Sequence, residues 1–211
     1  MADKKDYLLI VEDVPDILQL LRETLKFRGY RVVTATNGEE ALAVIKEEQP
    51  ALIVTDILMP KMDGFNLVHR LRLDETTRDI PVIFLTATYV APEDKEFALM
   101  IGVTRFMEKP VNMPEFLPLI DELLKGDTTL MTKPLDEIEF YEGYKKRLEI
   151  KIKHKNTQII RDQHLLESVE EAQKTVFRAS LNNTIREKEE IQALLEEIRG
   201  KLEKLTEEKE E

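Results

Sequence analysis

The chain of 211 residues has no cysteine, no tryptophan and only seven glycines. Without cysteine, neither a disulfide framework nor a thiolate metal site can form. No apolar run approaches the roughly 20 residues needed to cross a bilayer. The stretch Met1 to Tyr7 is charged and lacks the apolar centre of a signal peptide, so a soluble cytoplasmic protein is expected. The chain also lacks a basic excess, with 31 basic and 42 acidic residues and a net charge of −11. Residues 127–211 hold 16 basic and 20 acidic residues, or −4, which leaves 15 and 22, or −7, for the remainder. Neither half has the balance expected of a nucleic-acid binder; that partner is disfavoured but left open, since a local patch could still serve.

What is present is an alternation of apolar runs and amphipathic stretches. Its centre is Leu52 to Gly64, reading Leu-Ile-Val-Thr-Asp-Ile-Leu-Met-Pro-Lys-Met-Asp-Gly. A continuous apolar run stopped by Pro60 and Gly64 reads as a strand buried on both faces. Asp56 either caps the turn beyond that strand or ends it at the edge where open α/β sheets place their ligands. Before it, Tyr7 to Val11 is a strand ending at Glu12-Asp13. Ile17, Leu18, Leu21 and Leu25 then fall at helical spacing after Pro15, with Gly29 as the stop. Tyr30 to Ala35 reads as a second strand, Asn37-Gly38 as a turn, and Ala41 to Ile45 as a helix. Beyond it, Gly64 to Leu73 reads as a helix, Val82 to Leu85 as a strand ending at Thr86, and Phe97 to Ile101 as a helix closed by Gly102. Val103 to Met107 reads as the last strand, Glu108-Lys109-Pro110 as a turn and Asn112 to Lys125 as the last helix. The alternation is (βα)5, a doubly wound parallel sheet with helices on both faces.

Glu12, Asp13, Asp56, Thr86 and Lys109 then gather at one sheet edge. Crowded carboxylates repel one another, and a hard divalent cation held by oxygen relieves this. Mg2+ takes one or two carboxylates and recruits phosphate. Lys109 supplies a point charge for phosphate oxygens and Thr86 a hydroxyl donor. A carboxylate can itself attack phosphorus, so the chemistry favoured is phosphoryl transfer to Asp56.

The acidic pair, the D-x-x-M-P-x-M-D-G stretch, the strand-end threonine and the K-P dipeptide occur in that order. Over residues 5–125 the chain resembles the receiver domain of two-component response regulators. The resemblance implies a flavodoxin-like fold with strand order 2-1-3-4-5. It implies Asp56 as phosphoacceptor, and Glu12, Asp13, Asp56 and the Leu58 carbonyl as Mg2+ ligands. It further implies Thr86 and Lys109 as sensors of the phosphoryl group and Phe106 as the switch aromatic. A histidine kinase or phosphotransfer protein would be the donor. No enzymatic output is expected beyond self-phosphorylation from a phosphodonor and autodephosphorylation.

Pro118, following Pro114, predicts a kink or a late start in the last helix of this region. His69 is expected at the surface.

The expected organisation is a receiver over 1–126, a linker over 127–134 and a helical segment over 135–211. In the last, glycine falls to Gly143 and Gly200, and Glu, Lys, Leu and Ile dominate. Ile138, Tyr141, Leu148, Ile152, Ile159, Leu166 and Val169 keep a 3-4 spacing once polar positions fill the gaps. Phe177, Leu181, Ile191, Leu195, Ile198, Leu202 and Leu205 do the same. Each is a heptad seam. A break near Ser168 to Gln173 gives an antiparallel hairpin, the reading preferred here; without it, one helix of about 70 residues would project. Either arrangement buries one seam per helix, which predicts a homodimer through Leu148, Ile152, Ile159, Leu166, Leu181, Ile191, Leu195, Ile198 and Leu202. The alternative function is nucleic-acid binding through the basic cluster at 145–155, formed by Lys145, Lys146, Arg147, Lys151, Lys153 and Lys155. His154 and His164 lack the residue context of a phosphorelay histidine. The leading expectation is a response regulator whose helical segment mediates dimerisation or protein–protein contact.

Overall fold

A computed structural model describes residues 7–87, 92–126, 134–168 and 171–210. The chain divides into two compact units, Met1–Leu135 and Asp136–Glu211.

The first unit alternates β1 (Tyr7–Val11), α1 (Pro15–Phe27), β2 (Arg31–Ala35), α2 (Gly38–Glu47), β3 (Leu52–Asp56), α3 (Gly64–Leu73), β4 (Val82–Ala87), α4 (Pro92–Met100), β5 (Arg105–Lys109) and α5 (Met113–Lys125). All strand pairs are parallel, in the order β2-β1-β3-β4-β5. Parallel strands need crossover helices on the sheet faces, and that is why β1, β3 and β4 read as unbroken apolar runs. Leu8, Ile10, Leu52, Val54, Ile83 and Leu85 share one core with Leu21 and Leu25 of α1 and Phe116, Ile120 and Leu123 of α5. On the other face Phe65 of α3 stands edge-on to Phe84 of β4 at 5.2 Å and lies 5.3 Å from Phe97 of α4. The (βα)5 architecture and flavodoxin-like strand order expected above are therefore present.

Three local readings are corrected. The last strand runs Arg105–Lys109, two residues later than Val103 to Met107, so Glu108 and Lys109 belong to the strand and not to a turn. Val103 is used in closing α4: its amide donates to the Ala98 carbonyl, and pairing with β4 begins only at Ile83 with Arg105. Of the two alternatives at Pro118, a kink or a late start, the late start does not occur. α5 begins at Met113, with the Glu115 and Phe116 amides donating to the Asn112 carbonyl, and carries an exposed Pro118 in its interior. His69 is buried, at 3 % exposure, because α3 is enclosed on most of its circumference, Leu67, Val68, Leu71 and Arg72 included.

The second unit is two helices, α6 (Glu137–Ser168) and α7 (Glu171–Glu210). They pack on each other antiparallel. Lys155 pairs with Glu187 at 2.5 Å, Gln158 donates to Thr184 at 3.4 Å, and Arg199 pairs with Glu149 at 3.1 Å. The hairpin is thus formed, and the single continuous helix is not. Of the seam residues, Leu148, Leu181, Leu195 and Ile198 are buried, while Ile152, Ile159, Leu166, Ile191 and Leu202 are half-buried. Val169 and most of the expected linker, 127–133, lie outside the described residues. No helix among the described residues is long and apolar enough to cross a membrane.

Candidate functional site

In a parallel sheet every strand delivers its last residue to the same edge, and the strand order reverses between β1 and β3. The crevice at that reversal is where such sheets hold ligands. Glu12 and Asp13 follow β1 directly, Asp56 ends β3, Thr86 lies one residue before the end of β4, and Lys109 ends β5. In the register of the sheet Thr86 is level with Glu108, and Ala87 with Lys109.

The carboxylates of Glu12, Asp13 and Asp56 each offer an oxygen within 4.8 Å of the others. Glu12 is fully buried; Asp13 and Asp56 are half-buried. Lys109 reaches across from β5, its Nζ 2.6 Å from Glu12 Oε2 and 2.8 Å from Asp56 Oδ2. The other Asp56 oxygen, Oδ1, accepts from the Ile57 amide at 2.6 Å, and Glu12 Oε1 accepts from the Val14 amide at 3.3 Å. These bonds fix both carboxylates without help from a ligand.

Burial pushes the Glu12 carboxyl above its usual range. The Lys109 hydrogen bond opposes this, and the charge of Asp56 adds to it. For Lys109, burial disfavours the ammonium, but hydrogen bonds to Asp56 and Glu12 outweigh that and hold its pKa above the usual lysine value. The edge therefore combines a cation with three acidic groups in a pocket partly closed to water. The donor set is all oxygen, the chemistry that suits a hard divalent ion such as Mg2+.

The remaining expected site residues lie nearby or elsewhere. Leu58 sits in the β3–α3 loop and is 60 % exposed. Thr86 is buried. Phe106 is half-buried on β5, edge-on to Phe84 at 5.9 Å. The basic cluster at 145–155 does not form one exposed face: Arg147 is buried beside the Tyr144 ring, Lys155 is paired with Glu187, and only Lys146, Lys153 and His154 are well exposed.

The contact that ties the β3–α3 loop to α2 has no signature in the sequence. Lys61 has a left-handed backbone (φ 64°), and Met62 accepts from the Gly38 amide of α2. The Asn37-Gly38 dipeptide signals a turn, but nothing local to it announces contact with a loop more than 20 residues away.

The model of the response regulator receiver domain matches residues 8–121. A protein named "Probable transcriptional regulator ycf27" from Pyropia yezoensis is 38% identical over 132 residues, 63% of this chain and 53% of its own. The DNA-binding dual master transcriptional regulator RpaA of Synechocystis is 38% identical over 118 residues, 56% of this chain and 48% of its own. The chain thus spans about half the length of these curated relatives. Among solved structures, chemotaxis response regulator CheY4 of Vibrio cholerae aligns with a TM-score of 0.52 and 32% identity, covering 56% of this chain and 98% of that one. The signal receiver domain of a histidine kinase from Syntrophus aciditrophicus aligns with a TM-score of 0.54 and 36% identity, covering 57% and 91%. The disfavour shown to nucleic acid on charge alone finds no support in relatives named as transcriptional regulators. With the family model matched over more than half its length and the sheet edge built as described, the chain belongs to the response regulator receiver domain family.

Proposed function

We propose that this protein is the phosphoacceptor of a two-component system, taking a phosphoryl group on Asp56 from a phosphohistidine donor, with its helical hairpin as the output. The observation that carries this reading is the cluster of Glu12, Asp13 and Asp56 within 4.8 Å, with Lys109 bonded to two of them. Glu12, Asp13, Asp56 and the Leu58 carbonyl would hold Mg2+, which neutralises the developing charge on the phosphoryl oxygens when bound.

An oxygen of Asp56 forms a bond to phosphorus as the bond from phosphorus to the donor's imidazole nitrogen breaks, and the released imidazole takes up a proton from solvent. The Ile57 amide holds Asp56 in place by its Oδ1. Lys109, already 2.8 Å from Oδ2, remains within reach of phosphoryl oxygens carried on that carboxylate. The Thr86 hydroxyl, one strand over, donates to the same group. Phe106, in edge contact with Phe84, is the aromatic that responds. The readout is a shift between receiver conformations, limited by the preference of the phosphoryl group for one of them. The hairpin transmits it by dimerisation through its half-buried seam, or by docking to a protein.

Incubation with a small acyl phosphate and Mg2+ is expected to add one phosphoryl mass to the intact chain, and Asp56→Asn to abolish the addition. An unchanged mass, in conditions that label another receiver, overturns the reading.

A second output has its own support in the names of the relatives, which are transcriptional regulators. On that reading the exposed Lys146 and Lys153 contact nucleic acid. Binding would then weaken steeply with added salt and would be lost in the double alanine variant.

A further inference from the structure

The β3–α3 loop carries Asp56 at its start and Leu58 near its apex, so whatever fixes this loop fixes the geometry offered to a cation. Its near end is tied within the loop, the Gly64 amide donating to the Ile57 carbonyl at 2.8 Å. Its far end is tied to another element. The Gly38 amide, one of the first N–H groups of α2 and without a partner inside its own helix, donates to the Met62 carbonyl at 2.9 Å. The approach is as close as glycine allows. A Cβ on residue 38 would lie 2.6 Å from Met62 Cγ and 2.9 Å from both the Met62 carbonyl oxygen and Sδ.

Both sides of this contact have a defined local geometry. The start of α2 is held by a full capping arrangement. The Asn37 side chain accepts from the Glu40 amide at 3.0 Å, and Glu40 reaches back to the Thr36 amide and hydroxyl at 2.9 and 2.7 Å and to Asn37 Nδ2 at 2.9 Å. The loop has left-handed Lys61 and a tight turn in which the Met62 amide donates to the Pro60 carbonyl. A side chain at 38 would therefore press on Met62, by its side chain and its carbonyl, from a helix start that is already fully capped.

We infer that Gly38 is a positioning residue for the metal site: the capped start of α2 holds the β3–α3 loop, through Met62, in the conformation that presents Asp56 and the Leu58 carbonyl to Mg2+. This rests on the proposed phosphoacceptor function. Gly38 touches neither the carboxylates nor the phosphoryl group, and acts only through the loop.

The test is Mg2+ affinity by calorimetry on the full chain, for wild type, Gly38→Ala, Met62→Gly and the double variant. Gly38→Ala is expected to weaken Mg2+ binding about tenfold, as loss of support around a metal site does. Met62→Gly removes the Cγ and Sδ contacts, so the double variant is expected to recover part of that affinity. In the wild-type protein, the Gly38 amide resonance is expected to exchange slowly with solvent and to shift on Mg2+ saturation, while that of Gly29, on the α1–β2 turn, does not move. A folded Gly38→Ala that binds Mg2+ like wild type overturns the proposal. So does a Gly38 amide that exchanges fast and ignores Mg2+, a result available even if Gly38→Ala fails to fold. A wild-type chain that binds no Mg2+ overturns this proposal together with the function it rests on.

Discussion

The Nζ of Lys109 lies 2.6 Å from the carboxylate of Glu12, a side chain with no exposure to solvent. The lysine is thus the counter-ion of a buried acid as well as a candidate phosphate contact. Replacing Lys109 by Met leaves Glu12 buried without its cation, and metal-free stability is expected to fall by about 3 kcal/mol in urea titrations. The pH dependence has a definite sign. Glu12 has a raised folded pKa, so its contribution is fully present below its unfolded value and is lost as pH rises through the folded one. The deficit of Lys109→Met should therefore shrink as pH is lowered and Glu12 takes up a proton. Added Mg2+ should narrow it at neutral pH.

Tyr30, between α1 and β2, donates its hydroxyl to Asp121 of α5 at 2.6 Å. Burial, then the hydrogen bond and charge of Asp121, push its pKa up to about 12. The native state keeps the proton where the unfolded chain gives it up. The stabilisation is complete below the unfolded value near 10 and disappears as pH rises towards 12. Tyr30→Phe is expected to remove one late-titrating phenol from the alkaline absorbance titration and to cost about 1 kcal/mol near neutral pH.

Pro118 is exposed in the interior of α5 and cannot donate to the carbonyl one turn back. Its ring contributes little packing, so Pro118→Ala restores a helical hydrogen bond at small cost. Stability is expected to rise by roughly 1 kcal/mol, the helix gain being partly offset by the freer unfolded chain. Thermal unfolding followed by circular dichroism measures it.

In the hairpin, packing should outweigh pairing. Ile198 has no exposure, and Ile198→Ala is expected to cost about 2–4 kcal/mol. Lys155 faces Glu187 near solvent, its side chain 27% and that of Glu187 51% exposed, and Lys155→Ala is expected to cost under about 1 kcal/mol and less in high salt. Equal losses in urea titrations of the two variants would contradict this ordering.

The strand edges that carry Glu12, Asp13, Asp56 and Thr86 were legible because an apolar run that stops at a polar residue marks its own end. The same signal marks Lys109, but Val103 has the look of a strand start and so displaces Lys109 into a turn, whereas α4 claims the Val103 amide and β5 begins later. The burial of His69 is hidden from the sequence for a related reason. A polar residue on a short helix suggests solvent, and only the packing of α3 shows that this face is covered. The basic run at 145–155 looked like one surface, whereas helical geometry spreads it around α6 and α7 takes Lys155.

The sequence alone determined the order of strands and helices, the residues at the sheet edge and the two helical seams. These follow from periodicity and from proline, glycine and polar stops, which act within a few residues of themselves. Only the tertiary structure decided that α6 turns back on α7, that Lys109 neutralises Glu12, and that Gly38 touches Met62. Each of those depends on which distant surface comes to lie against a given residue, and no local pattern encodes that.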